Sequence, residues 1–244
     1  MLSLFKPRYY LKDIVPNNYI DIHNHLLPGI DDGAKTVEET NFLVSQMKAL
    51  NIAAAIATPH TFSGLWNNTP SSIKTAYETA VEPHVNSSFL KGYASEYMLD
   101  KTLIERIKWE PLLCIHDSYI LVELPLFNFP LDLYEMLFEL KIRDYKIIIA
   151  HPERYFYFQN SINKLKELKN YGVYFQLNLL SLVGYYGNEI KKCAEQLLEN
   201  DLYDFTGTDI HNNRQIELLL NKRICFSNKK KLIDLLKNNE IFIL

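Results

Sequence analysis

Seven short apolar, β-branched or aromatic runs alternate with amphipathic segments along the chain, and this alternation limits the possible folds more than any other feature. The runs are Tyr19–His23, Ala53–Thr58, Phe89–Ser95, Tyr119–Leu124, Lys146–Ala150, Val173–Leu177 and Tyr203–Thr208. Each has the length and residue types of a strand. Helical patterns fill the gaps. One opens at Thr36, where Thr-Val-Glu-Glu is a capping box with Glu39, and Val37, Leu43, Val44, Met47 and Leu50 share one stripe. Another follows Thr69-Pro70, with proline at the first helical position. Further helices are expected over 130–143, 161–170, 188–200, 213–222 and 228–238. Repeated strand-then-helix order implies a parallel α/β sheet, open or closed into a barrel. With only 8 glycines in 244 residues, no Gly/Ser linker divides the chain. One domain is expected over 1–244, with residues 1–18 as an N-terminal extension.

The extension is basic and aromatic (Phe5, Lys6, Arg8, Tyr9, Tyr10, Lys12) and reads as a strap packed on the domain, with a membrane or partner contact as the alternative. Its leading apolar stretch is too short for a signal-peptide core, and no window nears the ~18 consecutive apolar residues of a membrane span. Three scattered cysteines make no disulfide framework. A cytoplasmic protein without stable membrane insertion is expected. Lys and Arg total 26 against 29 Asp and Glu, for a net charge of −3, so no basic excess points to nucleic acid.

Six of the seven expected strands end in a group that can bind a metal. The first runs into His23 and His25, the second into His60, the third into Glu96, the fourth into Glu123, the fifth into His151 and the last into Asp209 and His211. The sixth ends near Gln176 and Asn178. Active sites of α/β barrels form at these carboxyl ends. A single strand-end histidine is usually structural. Six such ends together are not, because buried ionisable groups are costly unless paired or metal-bound. His23-x-His25 places both rings on one strand face, and Asp209-x-His211 repeats the device. Imidazole and carboxylate without thiolate suit manganese, iron or zinc. The candidates are His23, His25, Asp32, His60, Glu96, Glu123, His151, Asp209 and His211. That set exceeds one ion's needs and implies two or three divalent ions.

Two common motifs of other chemistries are absent. Six residues after Cys114, Cys193 and Cys225 stand Ile120, Glu199 and Lys231, so no C-x5-R thiolate loop exists. No G-x4-G-K-[ST] phosphate loop occurs either.

The strings DIHNHLLPGIDDGAK (21–35), ATPH (57–60), Glu96 in ASEY, VELP (122–125), AHPERY (150–155) and TDIH (208–211) are similar to the polymerase-and-histidinol-phosphatase (PHP) superfamily. Within it, over residues 19 to 223, the chain resembles the manganese-dependent protein tyrosine phosphatases of bacterial capsule and exopolysaccharide loci, the CpsB/CapC-like group. The resemblance implies a distorted (β/α)7 TIM-like barrel, the PHP fold, with a trinuclear metal centre. It would place His23, His25, Glu96 and Asp209 on one metal, and Glu96, Glu123 and His151 on a second. Asp32, His60 and His211 would hold the third. Arg154 would clamp the substrate phosphate, with Arg214 as a second arginine, and Arg154, Glu96 and His151 would form the catalytic set. The implied reaction is phosphotyrosine hydrolysis by a metal-activated hydroxide, with a bacterial tyrosine autokinase as the phosphoprotein partner. A histidinol-phosphate-type small-molecule phosphatase is the alternative within the superfamily; a nuclease or a metal-stabilised binding module are the more distant ones. The extension, Tyr97-Met98 in place of Ile-Arg, and TDIH in place of SDAH depart from the usual pattern.

Several residues stay outside that scheme. His84 and His116 sit in no acidic or metal-like motif and read as bland. Asp21 is either a partner orienting a ligand histidine or a capping group, and Asp31 competes with Asp32 as a ligand, with the resemblance favouring Asp32. Tyr155, Phe156, Tyr157 and Phe158 read as core, with an aromatic wall for a tyrosine ring as the alternative. Lys229–Lys231 reads as a solvated helix start, and the terminal Ile-Phe-Ile-Leu as a docked tail.

Overall fold

The structure is a computed structural model that describes residues 7–82, 86–159 and 161–243. Its elements in chain order are β1 (Ile20–Asp21), α1 (Val37–Ala49), β2 (Ala54–Ala57), β3 (His60–Thr61), α2 (Pro70–Val81), β4 (Leu90–Tyr93), β5 (Glu96–Met98), α3 (Lys101–Arg106) and β6 (Tyr119–Glu123). They continue with α4 (Leu133–Lys141), β7 (Lys146–Ala150), α5 (Ile162–Asn170), β8 (Tyr174–Asn178), α6 (Leu179–Leu182), α7 (Asn188–Glu199), β9 (Phe205–Gly207), α8 (Asn213–Asn221) and α9 (Lys229–Lys237). Every pairing between these strands is parallel, as strand-then-helix order requires.

The strands form a curled parallel arrangement in two ladders, β1-β2-β4 and β3-β5-β6-β7-β8-β9. The expected strand over 53–58 ends at Ala57, and after Thr58-Pro59 the chain resumes as β3; the expected strand over 89–95 likewise yields β4, with β5 starting at Glu96. Pro59 has no N–H to give a ladder. Its carbonyl still accepts from the Glu96 amide (3.0 Å), while Ala57 accepts from Ala94 (2.7 Å), so the two ladders follow one another across the kink. Beyond β1 and β9, Asn24 and Ile210 make an isolated parallel bridge.

Side-chain alternation divides the apolar interior. Ile120, Val122, Ile147, Ile149, Phe175 and Leu177 face the helices in the larger core. Ile20, Ile22, Ile56, Leu121, Ile148 and Phe205 fill a smaller cluster inside the curl. Phe242 closes that cluster, its ring 4.9 Å from Phe205 and 5.4 Å from Tyr119. The expected docked tail is therefore docked through Phe242, with Ile241 and Ile243 half-exposed; Leu244 lies outside the described residues. The described part of the extension packs as a strap: Tyr9 pairs antiparallel with Ile224, and Leu11, Ile14 and Val15 are buried. Phe5 and Lys6 lie outside the described residues.

Local chemistry sets the helix starts. Thr36 accepts from the Glu39 amide (3.3 Å), but Glu39 reaches back to the Lys35 amide (2.8 Å) rather than closing a box on Thr36. The reciprocal box forms instead at Thr69 and Ser72. Lys229–Lys231 is the first turn of α9, with the Lys231 amide capped by Asn228. The short α3 and α6 have no counterpart among the expected helices. Among the described residues no helix is long and apolar enough to cross a membrane.

Candidate metal centre

The carboxyl ends of the strands converge on one buried polar cluster. His60 and Glu96 are register partners in β3 and β5. Glu123 ends β6, and His151 follows β7. His151 and Asp209 both take left-handed backbone conformations, φ 34° and 53°. Such conformations cost about 1–3 kcal/mol for a residue other than glycine and cluster at functional sites. After His151, a single helical turn over Pro152–Arg154 presents Arg154. The Tyr155 hydroxyl accepts from the Leu124 amide (2.9 Å) and donates to the Ala150 carbonyl (2.8 Å), tying the strand ends that carry Glu123 and His151.

Three groups place their ligating atoms mutually within 4.8 Å: His23, His25, Glu96 and Asp209; His25, Asp32, His60 and His211; and His60, Glu96 and Glu123. Glu96 Oε2 lies 3.2 Å from His23 Nε2 and 3.1 Å from His60 Nδ1. Asp209 Oδ1 lies 3.3 Å from Nε2 of both His23 and His25. His151 Nε2 meets Glu96 Oε1 at 3.1 Å. The group around Glu123 thus closes with His60, which also sits 3.6 Å from Asp32, whereas His151 reaches the cluster through Glu96.

These donors fit divalent cations. Nε2 of His23 and His25 and Oε2 of Glu96 are buried and close together, yet none has a hydrogen-bond partner. Buried polar atoms are almost always hydrogen-bonded, so lone pairs aimed at common points imply ions. The far side of each ring is tied down. His23 Nδ1 faces Gln176 Oε1 (2.8 Å), and the Gln176 amide nitrogen is engaged by the Leu177 carbonyl, which fixes the amide's orientation. His25 Nδ1 faces Asp31 Oδ2 (2.8 Å), and His211 Nδ1 faces the Asp209 carbonyl (2.9 Å). Each acceptor holds a proton on Nδ1 and leaves Nε2 for an ion.

Burial penalises charge on Glu96, Asp209, His23 and His25, but their neighbours outweigh it. Glu96 is held well below the usual carboxylate range by His23 and His60, and Asp209 by His23 and His25. Burial pulls His23 down, yet Glu96 and Asp209 drive it well above the usual imidazole value, and Asp31 and Asp209 raise His25 to about 10. His151 goes the other way, lowered by burial and by Arg154. The carboxylates demand positive charge, which protons or metal ions can provide; metal loading must expel those protons.

The supporting residues were mostly invisible to sequence reading. Gln176 and Asn178, where the sixth strand lacks a ligand, hold His23 and Asp209 instead; Asn178 donates to Asp209 Oδ2 (2.6 Å). Asp31 orients His25 and also accepts from the His60 amide (3.1 Å), while half-exposed Asp32 faces His60 and His211. Asp21 takes the capping role. It accepts from the Thr208 amide and hydroxyl (2.9 and 2.6 Å) and from the His23 amide (3.3 Å), and touches no imidazole. Gly33 and Gly207 permit close approach: a Cβ on Gly33 would come 2.5 Å from that of His25, and one on Gly207 2.5 Å from that of His23. Glu153 turns away from this cluster, accepting from Asn178, Ser181 and Tyr203, and burial pushes its carboxyl up to about 7.

Above the cluster opens a cavity of about 700 Å³, lined by Phe62, Trp66, Phe127, Arg154 and Tyr186 among others. Trp66 stacks on His60 at 4.5 Å, and exposed Phe127 stacks on Phe156 at 5.1 Å. Tyr155 and Phe158 are core residues; Phe156 reaches the rim through Phe127. Arg154 Nη1 donates to Asp209 Oδ2 (2.8 Å), and its guanidinium lies 4.3 Å from the Tyr186 ring centre. Arg214 is exposed; Asn212 and Gln215, on either side of it, line the cavity. His116 pairs with Asp117 at 3.6 Å, and His84 lies outside the described residues.

The family model described as capsular polysaccharide synthesis, CpsB/CapC, matches residues 19–242. CapC of Staphylococcus aureus is 31% identical over 231 residues, covering 92% of this chain and 91% of that one. Tyrosine-protein phosphatase YwqE of Bacillus subtilis is 29% identical over 198 residues, covering 79% and 77%. A solved structure described under YwqE from B. subtilis and CpsB from Streptococcus pneumoniae, unique metal-dependent tyrosine phosphatases, superposes with a TM-score of 0.75 at 26% identity, covering 89% of this chain and 86% of that one.

Proposed function

This chain belongs to the CpsB/CapC family of capsular polysaccharide synthesis, and on that premise we propose that it is a metal-dependent tyrosine phosphatase, a phosphoric monoester hydrolase. The observation that carries the reading is the convergence of buried, unpartnered imidazole and carboxylate atoms on Glu96 beside Arg154. The nine residues His23, His25, Asp32, His60, Glu96, Glu123, His151, Asp209 and His211 would hold two or three divalent ions, with manganese as the first candidate and iron or zinc next. A neutral imidazole has one lone pair, so His60 can serve a single ion; assigning it to Asp32 and His211 leaves the Glu123 ion to His151 and Glu96. The two ladders then read as one distorted (β/α)7 barrel, supported by the continuation across Pro59 and the Asn24–Ile210 bridge.

When bound, divalent ions supply charge neutralisation and an acidified water as nucleophile. The chain does the rest. Glu96 and Asp209 set the negative floor of the site. Arg154 offers a planar fork matched to phosphate oxygens, and Arg214 stands as a second arginine outside the lining. Trp66 and Phe127 give the cavity aromatic walls of a size for a phenyl ring. A phenol leaves with a pKa of ~10, so no strong general acid is required. The phosphoprotein partner is proposed to be a bacterial tyrosine autokinase met in the cytoplasm.

Purified protein loaded with Mn²⁺ is assayed on a phosphotyrosine peptide and on histidinol phosphate, with and without chelator. Hydrolysis of the peptide in preference to histidinol phosphate, abolished by chelation, is expected. Activity insensitive to chelation, or none with manganese, iron or zinc, overturns the reading; preference for histidinol phosphate moves it to a small-molecule phosphatase.

A further inference from the structure

The segment Gly184-Tyr185-Tyr186-Gly187-Asn188 belongs to none of the motifs above, yet it delivers Tyr186 into the catalytic cavity. Gly184 and Gly187 both take positive φ, 73° and 97°, so the segment turns sharply on either side of its two tyrosines. A Cβ on Gly187 would meet nothing within 4 Å, and one on Gly184 would make only an ordinary contact, so the backbone conformation and not space calls for glycine at both. Tyr186 then does two things at once. Its ring lies 4.3 Å from the Arg154 guanidinium, and its hydroxyl donates to Asp209 Oδ2 at 3.1 Å.

We propose that Tyr186 is the positioning residue for the phosphate clamp, acting through Arg154. This rests on the phosphatase reading. The two oxygens of Asp209 are divided between two tasks: Oδ1 faces His23 and His25, while Oδ2 accepts from Arg154, Asn178 and Tyr186. Three donors on one oxygen make the tyrosine hydroxyl's bond to Asp209 redundant, and the hydroxyl's other partner, the Asn178 amide that donates to it at 3.1 Å, is itself held by Asp209. The ring is not redundant: among the described residues it is the aromatic face stacked on Arg154. A guanidinium has five donors in one plane. With one edge tied to Asp209 and one face laid on Tyr186, the remaining donors of the fork are confined to one orientation, which is the condition for two-point binding of a phosphate. Without the ring, the arginine keeps its charge but loses its plane.

The test is binding of inorganic phosphate to the metal-loaded protein by calorimetry, alongside metal content and aryl-phosphate kinetics. Tyr186→Leu weakens phosphate binding about tenfold (about 1.4 kcal/mol), raises KM for the aryl phosphate by a like factor and leaves metal content unchanged. Tyr186→Phe stays within about threefold of wild type, because it retains the cation–ring contact. In an Arg154→Ala background Tyr186→Leu has no further effect, the non-additivity expected of a residue that acts through another. Wild-type phosphate affinity in Tyr186→Leu, loss of metal in that variant, Tyr186→Phe as damaged as Tyr186→Leu, or an undiminished effect without Arg154 each overturns the proposal. Failure of the metal-loaded wild type to bind phosphate overturns it as well. If the wild type binds phosphate but hydrolyses no aryl ester, the phosphatase reading falls, while the binding comparison still decides the role of Tyr186.

Discussion

The two ends of the curled sheet are made by the same strands and differ completely in chemistry. Along the inward face of β6 stand Tyr119, Leu121 and Glu123; along β8 stand Tyr174, Gln176 and Asn178; along β9 and just past it stand Phe205, Gly207 and Asp209. Each strand thus begins in an aromatic ring and ends in a polar group. At the amino end Tyr119, Tyr174, Phe205 and Phe242 pack ring against ring. At the carboxyl end four imidazoles and two carboxylates crowd together and are buried more completely than Tyr119 and Tyr174 at the other end. The apolar end gains from burial by itself. The polar end loses by it unless counter-charge arrives, so one end carries stability and the other spends it on function.

Substitutions at the two ends should separate these roles. The largest effect is expected from Glu96→Gln, which removes the carboxylate common to two of the three candidate ligand groups. Aryl-phosphate turnover falls about 100- to 1,000-fold, with metal content reduced in elemental analysis; full activity would break the assignment of this end. Phe242→Ala at the other end costs about 3–5 kcal/mol in denaturant unfolding, while KM for the aryl phosphate stays within about twofold, as for distant independent sites. A shift in metal content in that variant would show that the ends are coupled. Gln176→Ala lies between them, beneath His23. It should weaken metal affinity about 10- to 100-fold in a competition titration, with a smaller loss of stability than Phe242→Ala. Lys74→Ala, on an exposed pair with Glu78 at 3.7 Å, should change unfolding free energy by no more than about 0.5 kcal/mol and leave both ends untouched.

That imidazoles and carboxylates gather at the strand ends was legible from the sequence because period-2 alternation and strand-then-helix order are local properties. The breaks at Pro59 and before Glu96 were not, since they depend on which neighbour accepts each hydrogen bond. Gln176 and Asn178 looked like the gap in the ligand pattern; only the register of β7, β8 and β9 shows that they hold His23 and Asp209. Asp21 shares a strand face with His23 and could be read as its partner, but Thr208 claims it. Tyr186 carried no signal beyond two nearby glycines, because its partners Arg154 and Asp209 are far from it along the chain. Polar residues that satisfy local rules can be read from sequence; those placed by long-range pairing cannot.

The Asp21–Thr208 contact joins residues separated by 187 positions. The Asn24–Ile210 bridge follows it, and His23, His25, Asp209 and His211 stand on either side of the same seam. Nearly the whole chain must be threaded between those two edges before they can meet, a high-contact-order closure that belongs to the slow part of folding. An ion held by ligands from both edges would act on that seam as a cross-link acts on a long loop, a constraint worth about 5 kcal/mol for a loop of this order. A metal centre built there would also be the clasp of the fold, and the seam is where loading would add most resistance to opening.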